Sequence, residues 1–263
     1  MPLCRTAIAS LSLWVLLLIG VTTFPMAPQA RADEVQVAVA ANFTAPMRKI
    51  AAEFEKDTGH KTVLMFGTVG KFFAQMKAGA PFEVLVSSDR ETPDALLREG
   101  LAVEAPRFTY AIGKLVLWSA SPGVVDPKGE VLRSNAFRHF ALANPRLAVY
   151  GAAGQAVMKK LGVWEAIEPR IVTAENITQA YQFIASGNAE LGFVAYSQVV
   201  GLDGKIASGS AWMVPTDLHP PLPQDVILLT PGKDSAAAKA IIAYLRSEKA
   251  RAIILSYGYD LPN

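Results

Sequence analysis

The chain reads as an α/β protein of two lobes, each a mostly parallel sheet flanked by helices. Short apolar runs alternate with amphipathic stretches from Val35 onward, the pattern of repeated βαβ units. The alternation breaks twice, at "SPGVVDPKGEV" and at the proline-dense "DLHPPLPQ", where Pro, Gly and Asp favour loops. Two blocks of such units fit two lobes of ordinary domain size.

In order, "VQVAVAA" is a first strand. "NFTAPMRKIAAEFEKDTG" is a helix, because Met47, Ile50, Ala51 and Phe54 recur at helical spacing and Gly59 stands at the stop position. "KTVLMF" leads through "GTVG" into the helix "KFFAQMKAG", and "FEVLVSSD" leads into "RETPDALLREG". "KLVLWSA" is the next strand. Beyond the first loop, "HFALANP" precedes the helix "YGAAGQAVMKKLG", "RIVTAEN" precedes "ITQAYQFIASG", and "AELGFVAYS" runs into "QVVG". The strand "DVILLT" and one last helix, from about Ser235 to Leu255, close the chain. The expected lobes are residues 33–112 plus 221–263, and residues 113–220. The crossings fall near Ala111 to Lys114 and near Pro220 to Gln224.

Residues 1–32 have the layout of a secretory signal peptide. Arg5 precedes an apolar run from about Leu11 to Phe24, and Ala30-Arg31-Ala32 offers a small-residue cleavage site. The run is short for a membrane span. Cleavage after about Ala32 removes Cys4, the one cysteine, and with it any disulfide or cysteine metal site. It also removes Arg5 and Arg31 but no acidic residue, leaving 23 basic residues against 23 acidic ones. A neutral chain has no general pull on nucleic acid or anionic membrane. An anion must therefore be held by local dipoles.

Candidate chemistry lies where strands hand over to helices, since open α/β sheets bind ligands beyond the carboxyl ends of their strands and helix starts present unpaired amides. Four such turns carry small or polar residues: Ala41-Asn42-Phe43, Thr68-Val69-Gly70, Tyr150-Gly151-Ala152 and Asn176-Ile177-Thr178. Two fall in each lobe. Singly, Asn42 and Asn176 read as helix N-caps; as a set, the turns read as an oxyanion cradle. "FGTVGK" is no nucleotide loop, for only two residues separate its glycines and Phe72 follows Lys71. The cradle would use amides, with Lys71 incidental.

Enzyme readings find little support: there is no G-x-S-x-G elbow, and His60, His139 and His219 lack ligand spacing. Asp89 and Glu91 sit at a strand end, where acid/base work competes with a solvated helix start. No direct metal site is read, and no cofactor.

Several segments, "VAVAANFTAPM", "KAGAPFEVLVSSD", "FTYAIGKLVLWS", "ALANPRLAVYG", "LGVW" and "ASGNAELGFVAYSQV", resemble those of the periplasmic molybdate-binding proteins of ABC transporters across nearly the whole mature length. The resemblance implies a two-lobed periplasmic-binding-protein architecture of type II with ligand in the interlobe cleft. It implies molybdate or tungstate as ligand and an ABC permease as membrane partner; with the charge balance and the missing catalytic motifs, the expectation is a periplasmic monomer that is not an enzyme and binds no nucleic acid. Residue by residue, it places oxyanion contacts at Asn42, at Val69, and at the amides of Tyr150 and Ile177, with Ala41 and Thr68 as extra donors. The family usually has serine at position 69, so a hydroxyl is missing there. A tyrosine used by some members maps to Ala195, and Tyr196 is expected to point away. Two alternatives remain: a binder of another tetrahedral oxyanion such as sulfate or phosphate, and a phosphoryl-transfer enzyme using "GTVGK".

Overall fold

The computed structural model describes residues 33–134, 136–201 and 203–262. The signal-peptide reading of residues 1–32, with Cys4 and the cleavage site, lies outside the described residues.

The chain begins with β1 (Glu34–Ala40), α1 (Thr44–Thr58), β2 (Lys61–Gly67), α2 (Val69–Lys77), β3 (Val84–Val86), α3 (Glu91–Arg98) and β4 (Ala102–Ile112). It crosses at Gly113 and Lys114 into β5 (Leu115–Ser119), β6 (Phe140–Ala143), α4 (Val149–Lys160), α5 (Trp164–Ile167), β7 (Ile171–Ala174), α6 (Ile177–Ala185), β8 (Leu191–Ala195) and β9 (Ser210–Met213). It then returns through prolines to β10 (Pro223–Leu229), α7 (Ala236–Tyr244) and α8 (Glu248–Ser256).

Two five-stranded sheets result, ordered β2-β1-β3-β10-β4 and β7-β6-β8-β5-β9. In each, four strands run one way and one is reversed. The reversed strands are β10 and β5, the two that begin just after the chain crosses between sheets. Because the parallel strands share a direction, the turns that follow them gather at one edge of each sheet.

Side-chain period explains the layers. On β1, Val35, Val37 and Val39 pack under α1, α7 and α8, whereas Ala38 faces Phe72, Met76 and Leu96 of α2 and α3. Helix α1 buries Met47, Ile50, Ala51 and Phe54, and ends at Gly59, whose φ of 77° is the left-handed stop that glycine adopts without strain. The second sheet has its own core around Leu117, Phe140, Val157 and Phe193.

Three expectations need correction. The last helix is two, because Ser247 caps a new start by accepting from the Ala250 amide at 3.1 Å. Strand β4 was not expected: its sequence, "AVEAPRFTYAI", lacks clean alternation, and it exists as the edge partner of β10. Strand β9, four residues on the edge of the second sheet, was missed for a similar reason.

Phe54 is fully buried, with its ring 5.5 Å from that of Tyr244. Phe54→Ala is expected to lower unfolding free energy by about 3–5 kcal/mol, the cost of a large vacated core site, in a chemical denaturation series.

Candidate functional site

The carboxyl-end turns of the two sheets meet at a small cavity. It is tight, with about 10 Å³ of free space, roughly what a single water needs. All four turns contribute to its lining: Ala41 and Asn42, Thr68 and Val69, Tyr150, and Asn176 and Ile177. Each of the six residues expected at the site therefore borders one space. No charged side chain lines it.

Local structure explains why amides face that space. The first N–H groups of any helix have no intrahelical partner. Thr68 caps α2 by accepting from the Lys71 amide at 3.4 Å, and Asn176 caps α6 by accepting from the Gln179 amide at 3.0 Å. Each cap serves only the third residue of its helix, which leaves the Val69 and Ile177 amides unclaimed by it. Helix α4 starts after Ala148, which has no capping side chain, so the Tyr150 amide has none either.

Asn42 departs from its N-cap reading. It sits inside a 3-10 turn, Ala41–Phe43, ahead of α1, and no side chain caps either start. Its Nδ2 instead donates to Gln224 Oε1 at 2.9 Å and to the Tyr259 hydroxyl at 3.0 Å. With both amide hydrogens engaged, the donor that Asn42 keeps for a guest is its backbone N–H.

A buried network stands behind it. Gln224 Nε2 donates to the Tyr150 hydroxyl at 3.2 Å, and the Tyr110 hydroxyl lies 2.9 Å from both Gln224 Oε1 and the Ser87 carbonyl. The Asn42 carbonyl accepts from Tyr259 at 2.8 Å and from Ser197 at 3.1 Å. At the crossing, Gly113 packs so tightly on this network that a Cβ there would lie 2.1 Å from the Tyr150 hydroxyl oxygen. Burial pushes the Tyr110 and Tyr150 hydroxyls well above the usual phenol range, and Tyr259 rises for the same reason. All three stay neutral around pH 7.

Side chains from the two sheets also meet at the rim. Thr178 Oγ1 donates to the Ala41 carbonyl at 3.1 Å, and the Gly70 amide donates to the Leu147 carbonyl at 3.4 Å. Lys71 Nζ pairs with Glu175 at 2.6 Å and does not line the cavity. The lysine of "FGTVGK" thus joins two helix starts across the rim.

A larger groove of about 350 Å³ adjoins the cavity and shares Val69, Ser88, Ala148 and Val149 with it. Asp89 lines the groove but is not the solvated helix start expected of it. It is buried, and its carboxylate accepts from Ser87 Oγ at 2.9 Å, the Thr92 amide at 3.0 Å and Thr92 Oγ1 at 3.1 Å. Burial raises its carboxyl above the usual range, and these bonds oppose the rise.

Ala195 is fully buried and lies outside the cavity lining. Tyr196 opens a 3-10 turn rather than continuing the strand, and its hydroxyl donates to the Gly204 carbonyl, away from the site. Sequence reasoning missed Ser88, Gln224, Tyr259, Ser197 and Tyr110. Only Ser88 carried a signal, its place just past β3 at the same sheet edge as the named turns. Among the described residues no cluster of His, Cys, Asp and Glu could hold a metal ion.

Two α/β sheets facing a shared cavity of helix starts are the plan of a two-lobed solute-binding protein. Residues 35–260 match the family described as bacterial extracellular solute-binding protein, and the chain belongs to it. The molybdate-binding protein ModA of Azotobacter vinelandii is 56% identical over 236 residues, 90% of this chain and 93% of that protein. ModA of Rhodobacter capsulatus is 52% identical, covering 89% and 91% respectively. A solved periplasmic molybdate-binding protein of Azotobacter vinelandii superposes with a TM-score of 0.84 at 41% identity, over 87% of this chain and all of that one.

Gln224→Leu takes from the Tyr150 hydroxyl its Gln224 donor, and from the Asn42 amide and the Tyr110 hydroxyl one of two partners, all in a buried setting. Each unsatisfied group costs about 1–3 kcal/mol, so the variant is expected to melt well below the parent in a thermal scan without ligand.

Proposed function

We propose that this protein captures molybdate, and tungstate by the same chemistry, and delivers it to the permease of an ABC importer. One observation carries the reading: four helix starts meet at one small cavity that no charged side chain lines. The amides of Asn42, Val69, Tyr150 and Ile177 donate to the anion's oxygens, with Ala41 and Thr68 beside them. Each start also presents the positive end of its peptide dipoles. Weak neutral donors become collectively strong in a dry cavity, because low local dielectric strengthens each of them. None forms the tight ion pair that a buried lysine or arginine would, so the anion can leave when the site opens.

The names of the relatives support molybdate as the guest. They are names of binding proteins rather than of enzymes, which supports a carrier without catalytic residues or cofactor. Residues 33–112 plus 221–263 form one lobe and residues 113–220 the other, moving about Gly113-Lys114 and the proline strap before β10. Closure brings together the Lys71–Glu175 and Thr178–Ala41 contacts. The working form is a periplasmic monomer, cleaved after about Ala32, that docks on its membrane partner without nucleic acid.

Titration calorimetry of refolded, anion-free protein tests the guest. Molybdate and tungstate are expected to bind one per chain, and sulfate weakly or not at all, since these dianions differ mainly in radius. Tighter binding of sulfate or phosphate would assign the cavity to another oxyanion; turnover of a phosphoester that Lys71→Ala abolishes would make it an enzyme.

Molybdate affinity is expected to stay flat from about pH 6.5 to 8.5, because the buried phenols behind the site titrate well above that range. Phosphate, with its second ionisation near neutrality, would give a sloping profile. Calorimetry at several pH values reads the difference.

A further inference from the structure

Ser88 lies just past β3, is 5% exposed, and borders both the cavity and the groove. Its hydroxyl makes no hydrogen bond to any described residue. Every side-chain polar atom sealed from solvent among the described residues does have a partner. An unpartnered Ser88 hydroxyl is therefore not sealed, and the open space it reaches is the two hollows it lines.

The other polar side chains at the cavity already have structural tasks, although the Thr68 O–H and Asn176 Nδ2 keep hydrogens to donate. The Asn42 amide hydrogens go to Gln224 and Tyr259, and Thr68 and Asn176 turn an oxygen to their own helix amides. Val69 has no donor side chain. Ser88 alone has a hydroxyl with no structural task, and a serine hydroxyl rotates to suit its acceptor.

Resting on the molybdate reading above, we propose that Ser88 is a further donor to the bound oxyanion, supplying from the turn after β3 the hydroxyl contact that position 69 cannot make here. Without a guest this hydroxyl has no acceptor among the described residues. A dianion in the cavity supplies that acceptor. Asp89, next along the chain, does not compete, because its carboxylate is occupied by Ser87 and Thr92 and borders the groove rather than the cavity.

Calorimetry with molybdate on the parent, Ser88→Ala and the double variant Ser88→Ala/Val69→Ser tests this, alongside melting of each protein without anion. Ser88→Ala is expected to weaken binding about tenfold to a hundredfold, the size of one charge-assisted hydrogen bond in affinity. Its ligand-free melting temperature should stay at the parent value or rise, since no bond within the protein is lost. A hydroxyl returned at position 69 should recover most of the loss. Parent-like affinity in Ser88→Ala overturns the proposal, and so does a loss that merely tracks a lower ligand-free melting temperature without rescue at position 69. A parent that binds no molybdate would instead sink the reading of the ligand itself.

Discussion

An α-helix cannot satisfy its own first amides, and this constraint organises the molecule. Water or side-chain caps answer it at most helix starts. Here several starts are turned to the middle of the protein, behind residues such as Ala148 that offer no cap. Both sheets run their parallel strands so that the turns gather at facing edges. The fold thus concentrates donors where the protein has no acceptors of its own to spend on them.

No charged side chain lines that cavity. Two cations of the surrounding elements are occupied elsewhere: Lys71 is paired with Glu175, and Arg107 bridges Asp94 and Asp225. A guest anion would meet dipoles rather than ions. Dipoles in a low-dielectric site hold well only when all converge, so affinity depends on geometry. Opening the site would disperse the donors at once, a useful property in a carrier that must let go.

The network behind Asn42 explains how the geometry is kept. Asn42, Tyr110, Gln224 and Tyr259 come from elements around the first sheet, and Tyr150 and Ser197 from elements around the second. They form one connected set, buried except for Ser197. The crossing at Gly113 is held against the same set, so the linkage between sheets and the floor of the cavity are a single piece of packing. Buried hydrogen-bonded networks of this kind favour one arrangement over near alternatives.

By itself, the sequence determined what depends on short range. Period-2 and period-3.6 patterns placed most strands and helices, Gly59 marked the end of α1, and the four turns stood out because strand-to-helix junctions in α/β chains are where ligands sit. Only tertiary structure decided what depends on distant partners. Strand β4 needed β10 beside it to be a strand, and Ser247 split a continuous apolar pattern into two helices. Asn42 changed from a presumed cap to a network member because Gln224 and Tyr259 lie 182 and 217 residues along the chain. The free hydroxyl of Ser88 was likewise invisible, since a side chain's want of a partner is a property of everything folded around it.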